Sequence, residues 1–286
     1  MSKAPEYRGR FAPSPTGPLH LGSLVAAVAS YLDARHHGGQ WLVRIEDLDP
    51  PREVAGASEG ILESLKAHGL HWDGQVSYQS QRSDAYDAAL ARLDRSGLLF
   101  DCVCTRATLG PGGSCGQRCH PEPGSAVARR IALTCDEQFT DLVLGIQVPE
   151  DLPDDVVLRR KDNLYAYALA VVVDDGLQGI THVIRGADLL GQTPLQMSLH
   201  RCLGHTPPAF GHVPVLTNAE GQKLSKQTGA QALDNACAVD NLVRVLRMLG
   251  QTLPTVTDNA QALLEAATPL WDRRRIPQTL FDPVSS

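Results

Sequence analysis

Pro13-Ser-Pro-Thr-Gly-Pro-Leu-His20-Leu-Gly22-Ser23 joins a strand-like segment, 7–12, to an apolar run from Leu24 to Leu32. Strand, Pro/Gly loop and helix, the last over about 22–36, form the opening unit of a nucleotide-binding α/β fold. The start of such a helix attracts phosphate, because its dipole and its unpaired N–H groups both face the ligand. His20 would place a hydrogen-bond donor near a triphosphate, and Gly22 would let a flat base lie against the backbone. The same residues also read as an ordinary cap loop, with Ser23 as the cap and His20 on the surface.

About two hundred residues later, Lys223-Leu-Ser-Lys226 sets two lysines around a serine in a loop containing a glycine. Such lysines suit the charge that grows on an α-phosphate and its leaving pyrophosphate, delivered by a loop that closes over substrate. Pro13, His20, Gly22, Ser23, Lys223 and Lys226 are therefore the candidate ATP residues, with His20, Lys223 and Lys226 in catalytic roles.

Between the two motifs the pattern continues as α/β. A second strand, 40–45, ends in Glu46, at the strand end where open parallel sheets bind ligands. Segments 55–69 and 83–96 carry apolar residues at helical spacing, with a short strand or loop at 70–79. Residues 100–164 change character, with clustered cysteines and glycines, and read as an insertion. The run from Tyr165 to Asp175 is apolar without a break and suits a strand or a helix buried on both sides, with a parallel sheet expected here. A helix over 187–203, a strand over 212–217 and helices over 242–250 and 260–267 complete the reading. The organisation expected is 1–99 and 165–236 as the two halves of a Rossmann-type domain, 100–164 as an inserted subdomain and 237–286 as a short helical end.

With 286 residues, 43% of them hydrophobic, the chain can bury a sizeable core. No apolar stretch approaches the roughly 18 residues of a membrane span and no signal-peptide pattern opens the chain, so the expectation is cytoplasmic, with no membrane partner. Seven cysteines, an odd count, then read as reduced thiols. Four of them, Cys102, Cys104, Cys115 and Cys119, match a tetrahedral structural zinc site, with His120 as an alternative ligand. Cys135, Cys202 and Cys237 read as small packed hydrophobes. A net charge of −6 excludes a generally basic nucleic-acid coat without excluding a local RNA face.

Arg10 at the end of the first strand and Arg185 past a later one would hold an acidic substrate, since the guanidinium fork matches a carboxylate. Glu46 would hold an ammonium group, and Tyr167 a hydroxyl and a wall. Each also has a plain structural reading, as an ion pair or a core residue.

Together, Arg10-Phe-Ala-Pro-Ser-Pro-Thr-Gly-Pro-Leu-His20-Leu-Gly-Ser, Arg44-Ile-Glu46-Asp-Leu-Asp, Tyr167-Ala-Leu-Ala-Val-Val-Val-Asp-Asp, Thr181-His-Val-Ile-Arg185-Gly-Ala-Asp and Lys223-Leu-Ser-Lys226 resemble the class I glutamyl-tRNA synthetases. The resemblance implies a Rossmann-type catalytic domain that activates L-glutamate with ATP and Mg2+. It places glutamate against Arg10, Phe11, Ala12, Pro13, Ser14, Glu46, Tyr167 and Arg185. The cysteine set, and the short stretch after Lys226 where a full synthetase carries an anticodon-reading region, are similar to a truncated branch of the family. That branch transfers glutamate to the queuosine base in the anticodon stem-loop of tRNA(Asp). Gln227 stands where relatives often carry serine or arginine. The alternatives are a minimal synthetase charging a tRNA 3′ end, a non-catalytic RNA-binding module, and another adenylate-forming ligase acting on a small acid.

Overall fold

The computed structural model describes residues 6–109, 113–135, 138–149, 152–217, 231–255 and 258–283. β1 (Arg8–Phe11) runs through the Pro/Gly loop into α1 (Leu21–His36), and β2 (Gln40–Ile45) returns parallel to β1, with Gly9 beside Trp41 and Phe11 beside Val43. The return is tight at Gly39, where a Cβ would stand 2.3 Å from the carbonyl oxygen of Tyr7. Only glycine fits there. α2 (Ala57–Ala67) and the short β3 (Ser77–Tyr78) follow, β3 extending the ladder parallel to β2.

α1 buries Leu24, Ala27, Val28, Ala29 and Leu32 completely, on nearly every face. The parallel strands cover one side and α7 (Ala238–Met248) packs on it from another. That double cover is why its sequence is apolar without a marked polar face. Each leucine-sized side chain buried this way stabilises by about 1.5–3 kcal/mol.

The run expected as strand or helix before Asp175 is helical. α3 (Ser83–Arg95) precedes α5 (Tyr167–Leu177), whose residues from Leu169 to Asp175 are all buried. The parallel sheet expected there is supplied instead by β9 (His182–Gly186) and β10 (Ala209–Val213), which pair parallel. β9 lies beside β1, where Thr181 N donates to Arg8 O at 2.9 Å. The strand succession is therefore β3-β2-β1-β9-β10.

Two further readings shift at prolines. The helix expected over 187–203 is a 3₁₀ turn, Ala187–Gln192, followed by α6 (Thr193–Cys202), with Pro194 in the first turn of α6. The strand expected over 212–217 is divided by Pro214 into the end of β10 and β11 (Val215–Thr217).

Between α3 and α5, β4 (Leu99–Cys102), β5 (Ala128–Ala132) and β8 (Asp155–Arg159) form a three-stranded antiparallel sheet, with a register shift at Arg129/Arg130. α4 (Arg106–Leu109) follows β4, and β6 (Phe139–Asp141) and β7 (Gly145–Gln147) make a hairpin whose Leu142 N donates to Phe210 O of β10 at 2.8 Å. After α7 come α8 (Ala260–Ala267) and β12 (Phe281–Pro283), the latter paired parallel with β11. This last part is tied to α1 through the fully buried Asp33, which accepts from Tyr7 Oη, from Trp271 Nε1 at 2.9 Å and from Arg273 Nε at 2.5 Å.

Candidate functional site

A cleft of about 740 Å³ opens where β1, β2, β9 and β10 end, the position at which open parallel sheets place ligands. Its lining includes Arg10, Phe11, Ala12, Pro13 and Ser14 from β1 and its loop, His20, Gly22 and Ser23 from the start of α1, Glu46 past β2, Tyr167 at the start of α5 and Arg185 on β9. All the site residues expected from sequence therefore meet there, except the lysines and the thiols. Lys223, Lys226 and Gln227 lie outside the described residues, which stop at Thr217 and resume at Gln231. The chain resumes against the first motif, with Leu233 N donating to Leu19 O at 2.9 Å and Ala232 bridged to His20.

The cap of α1 is His20, not Ser23. The Ser23 N–H donates to Nδ1 of the His20 ring at 3.2 Å, and the Ser23 hydroxyl lies 3.1 Å from Nε2. Gly22 lets the imidazole fold back over the helix end, since a Cβ there would stand 3.2 Å from the ring. The first turn of α1 contains no acidic residue, which leaves this helix end suited to anions.

The two arginines are held differently. Arg10 already uses one edge of its fork inside the protein, donating from Nε and Nη2 to the two oxygens of Asp175 at 3.3 and 3.4 Å. Three of its five N–H groups, including the pair at the outer edge, have no partner among the described residues. Arg185, 4% exposed, donates Nε–H to His212 Nε2 (3.0 Å), Nη1–H to Gln196 Oε1 (2.7 Å) and Nη2–H to Thr193 Oγ1 (2.9 Å) and Leu189 O (3.2 Å). Four of its five donors are thus engaged and one remains, so the open fork expected at both arginines exists at Arg10 alone. Among the described residues all of Arg185's hydrogen-bond partners are neutral, and burial lowers the pKa of its guanidinium against the pull of Tyr167, Asp175 and Glu46. A buried cation without a counter-charge is an anion site.

Glu46 faces these arginines with its side chain 7% exposed, and its Oε1 has no hydrogen-bond partner among the described residues. Burial pushes its carboxyl up to about 7, against the pull of Arg44 and Arg10. A buried acceptor left open in this way fits an incoming ammonium. Tyr167 is half-buried, and burial together with the Glu46 charge raises its phenol, which keeps the hydroxyl protonated as a donor. Phe11 contributes a wall, its ring stacked toward Trp41 at 6.3 Å between centroids.

A second cleft, of about 730 Å³, lies between this core and the antiparallel sheet. Arg130, Arg160, Lys161 and Leu109 line its far side, while Ser14, Thr16, Glu46, Arg52 and Tyr167 line both clefts. Those five residues form a shared partition.

Cys102, Cys104, Cys115 and Cys119 gather so that their sulfur atoms all lie within 4.8 Å of one another. The Cys104–Cys115 and Cys115–Cys119 separations are 3.7 and 3.3 Å, near the ~3.8 Å edge of a tetrahedron with ~2.3 Å metal–sulfur bonds. The four thiols could hold a metal ion. His120 is exposed and not part of the group. Cys237 is also exposed, not packed as the sequence suggested, while Cys135 and Cys202 are partly buried.

Several residues that shape the cleft were not given roles from sequence. Thr16, Arg52 and Asp188 line it, Asp174, Asp175 and Arg44 set its charges from behind, and Gln196 and His212 hold Arg185. The twin acids ending a buried apolar run were the available signal, because a carboxylate in a core must be paired. Nothing local marked His212, whose importance arises only from pairing β10 with β9.

The sequence pattern of the family described as tRNA synthetases class I (E and Q), catalytic domain, matches residues 6–111 and 117–254. A protein of Dechloromonas aromatica (strain RCB) named Glutamyl-Q tRNA(Asp) synthetase is 52% identical over 263 residues, covering 87% of each chain. One of the same name from Xanthomonas campestris pv. campestris (strain 8004) is 48% identical over 285 residues, 97% of this chain and 95% of that one. Among solved structures, glutamate-tRNA synthetase from Elizabethkingia anophelis superposes with a TM-score of 0.81 at 25% identity, over 98% of this chain and 68% of that one. A glutamate tRNA ligase from Elizabethkingia meningosepticum, in complex with its amino acid, gives 0.81 and 25% over 98% and 67%.

Asp175 offers a direct test of the charge arrangement. Burial works against its ionisation, but Arg10 and Arg44 more than offset this and hold the carboxyl down to about 2. A carboxyl depressed in the folded state stabilises above its unfolded value near 4 and loses that contribution as pH falls through about 2. Asp175→Asn should cost about 3–5 kcal/mol in urea unfolding at pH 7. Its deficit relative to wild type should shrink between pH 4 and 2; a constant deficit would contradict the assignment.

Proposed function

Since the chain belongs to the class I tRNA synthetases of the E and Q group, we propose that it activates L-glutamate with ATP and transfers it to the queuosine base in the anticodon loop of tRNA(Asp), forming glutamyl-queuosine. It is an ATP-dependent ligase. The observation that carries the glutamate reading is a single cleft holding, among the described residues, a buried guanidinium whose hydrogen-bond partners are all neutral, Arg185, and a buried carboxylate oxygen that accepts no hydrogen bond, Glu46 Oε1. An amino acid with a second carboxylate complements both. The acceptor is the one named for its relatives, two of which match 87% and 97% of the chain.

In the first step the α-carboxylate of glutamate attacks the α-phosphate of ATP, and pyrophosphate leaves. No protein nucleophile is needed, so catalysis consists of positioning and charge stabilisation. The carboxylate that reacts must stay unclamped. The side-chain carboxylate therefore lies against Arg185 and the open edge of Arg10, with the Tyr167 hydroxyl donating and Glu46 taking the ammonium. Phe11, Ala12, Pro13 and Ser14 border the amino acid. ATP lies over the start of α1, at His20, Gly22 and Ser23, with Lys223 and Lys226 on its phosphates and magnesium accompanying the triphosphate. In the second step a hydroxyl of the queuosine cyclopentenediol attacks the mixed anhydride and AMP leaves. The second cleft suits the entry of that base, since Tyr167 and Glu46 border both spaces. With tRNA as acceptor, the protein works in the cytoplasm, and among the described residues no helix is long and apolar enough to cross a membrane.

The deciding measurement gives the protein ATP, labelled glutamate and tRNA(Asp) with or without queuosine. Label is expected on queuosine-containing tRNA alone and on its anticodon-loop fragment after nuclease digestion. Equal labelling of both tRNAs, or label at the 3′ adenosine, would replace this acceptor with a tRNA end.

Glu46 predicts a pH dependence. Its carboxyl, raised to about 7, meets the ammonium only when ionised, so affinity is full above that value and falls as pH drops through it. KM for glutamate in pyrophosphate exchange should rise about tenfold per pH unit below it while KM for ATP stays level. Glu46→Gln should raise KM at least ~10-fold at pH 8 and flatten this profile; a variant that keeps the slope would transfer it to another group.

The thiol group is read as structural zinc, since four protein ligands leave no open position. Elemental analysis of protein purified without chelator should find about one zinc per chain. Its removal should expose the antiparallel sheet to proteolysis before it affects glutamate-dependent exchange, and absence of metal would count against the site.

A further inference from the structure

His212 belongs to β10 and is fully buried, in register with Arg185 on β9. Its Nε2 lies 3.0 Å from Arg185 Nε, which can only donate, so Nε2 must present a lone pair. The ring proton then belongs on Nδ1, which lies 2.6 Å from Asp141 Oδ2. Asp141 is itself immobilised. Its Oδ1 accepts from the backbone N–H of His212 at 3.1 Å and from those of Val143 and Leu144 at 2.9 Å each. Asp141 ends β6 in the hairpin that crosses onto β10, so a carboxylate from the inserted segment reaches the back of the cleft.

We propose that His212 is a positioning residue for glutamate selection: Asp141 fixes its Nδ1–H tautomer, and its Nε2 lone pair holds Arg185 so that one N–H of the guanidinium remains for the substrate carboxylate. This rests on the reading of Arg185 as a glutamate contact. The chain Asp141–His212–Arg185 follows the logic by which a carboxylate orients an imidazole in other sites, here used to aim a cation, not to move a proton. Charge supports it. A neutral imidazole gives Arg185 an acceptor without neutralising it, whereas a carboxylate in that place would remove the attraction for substrate. Thr193 Oγ1, which accepts from Arg185 Nη2, lies 3.3 Å from the same Nε2 and 3.5 Å from Leu189 O; either way its contact leaves Nε2 an acceptor, since Arg185 Nε can only donate. The charged groups around the ring are Asp141, Arg185 and Asp188, and burial lowers the imidazole's own pKa, which favours the neutral form.

The arrangement also bears on specificity. With four donors committed, Arg185 is held as a fixed cation with one N–H left; a glutamine amide can offer its oxygen to that N–H but brings no charge to the guanidinium and turns its NH2 toward the open edge of Arg10. Loosening Arg185 should therefore weaken discrimination as well as affinity.

The test uses the whole protein in three measurements. In wild type without substrate, ¹H–¹⁵N correlation of the imidazole should show a neutral His212 protonated on Nδ1 at pH 7; an Nε2–H tautomer or an imidazolium would overturn the proposal. In pyrophosphate exchange, His212→Phe should raise KM for glutamate about 10- to 100-fold, with KM for ATP within about twofold and kcat within about threefold. It should also narrow the preference for glutamate over glutamine. His212→Gln, whose Oε1 can accept from Arg185 Nε, should recover most of both. An unchanged glutamate KM in His212→Phe would mean the ring merely fills space, and equal loss in the two variants, or ATP and glutamate KM moving together, would also overturn the proposal. Should His212→Phe fail to fold, the tautomer and the glutamine variant decide. Absence of any glutamate-dependent exchange in wild type would instead remove the underlying reading of the site, leaving the tautomer measurement to judge the relay.

Discussion

Two adjacent carboxylates on one helix hold this molecule in its working shape. Asp174 and Asp175 are neighbours in sequence, so on a helix they point about 100° apart. Asp174 faces α3 and accepts from Gln79 Nε2 and Tyr86 Oη at 2.8 Å each and from Arg82 Nε. Asp175 faces the sheet and binds Arg10 of β1 and Arg44 of β2, the latter at 2.7 Å. Arg44 also lies 3.8 Å from Asp174. The late helix α5 is thereby joined to the first two strands through groups that cannot be left unpaired. Breaking one partner of such a buried pair costs more than the pair itself contributes, which makes the network a strong constraint on geometry.

The same network stops short of two groups at the cleft. Among the described residues Arg185 has only neutral hydrogen-bond partners, and Glu46 Oε1 accepts no hydrogen bond, with Arg44 Nη2 3.7 Å away. In the proposed reading these are the two groups that meet opposite charges of a free amino acid. Binding energy at such a site comes from relieving desolvation already incurred in folding, which is a form of preorganisation.

Much of this was legible from the residues. The first strand, its Pro/Gly loop and α1 carry local signals, and so do β2 and the helices with clear periodicity, α2, α3, α7 and α8. The class I tRNA synthetase family was recognisable from motifs in order. What was not legible has identifiable causes. Val171, Val172 and Val173 sit in an unbroken apolar run that suits strand and helix alike; burial on all sides erased the periodicity. His20 took the capping role expected of Ser23 because Gly22 leaves room for a ring. The fork of Arg10 proved half used and that of Arg185 almost fully used, since hydrogen-bond partners from Gln196, Thr193 and His212 come from elements whose approach no local pattern reports.

Ser14, Thr16, Glu46, Arg52 and Tyr167 form one wall between two openings of similar size, about 740 and 730 Å³. In the proposed reading the amino acid and the modified base approach this wall from its two sides. An activated acyl group formed at such a partition is also within reach of its acceptor from the moment it exists, which shortens the interval in which water can intercept it.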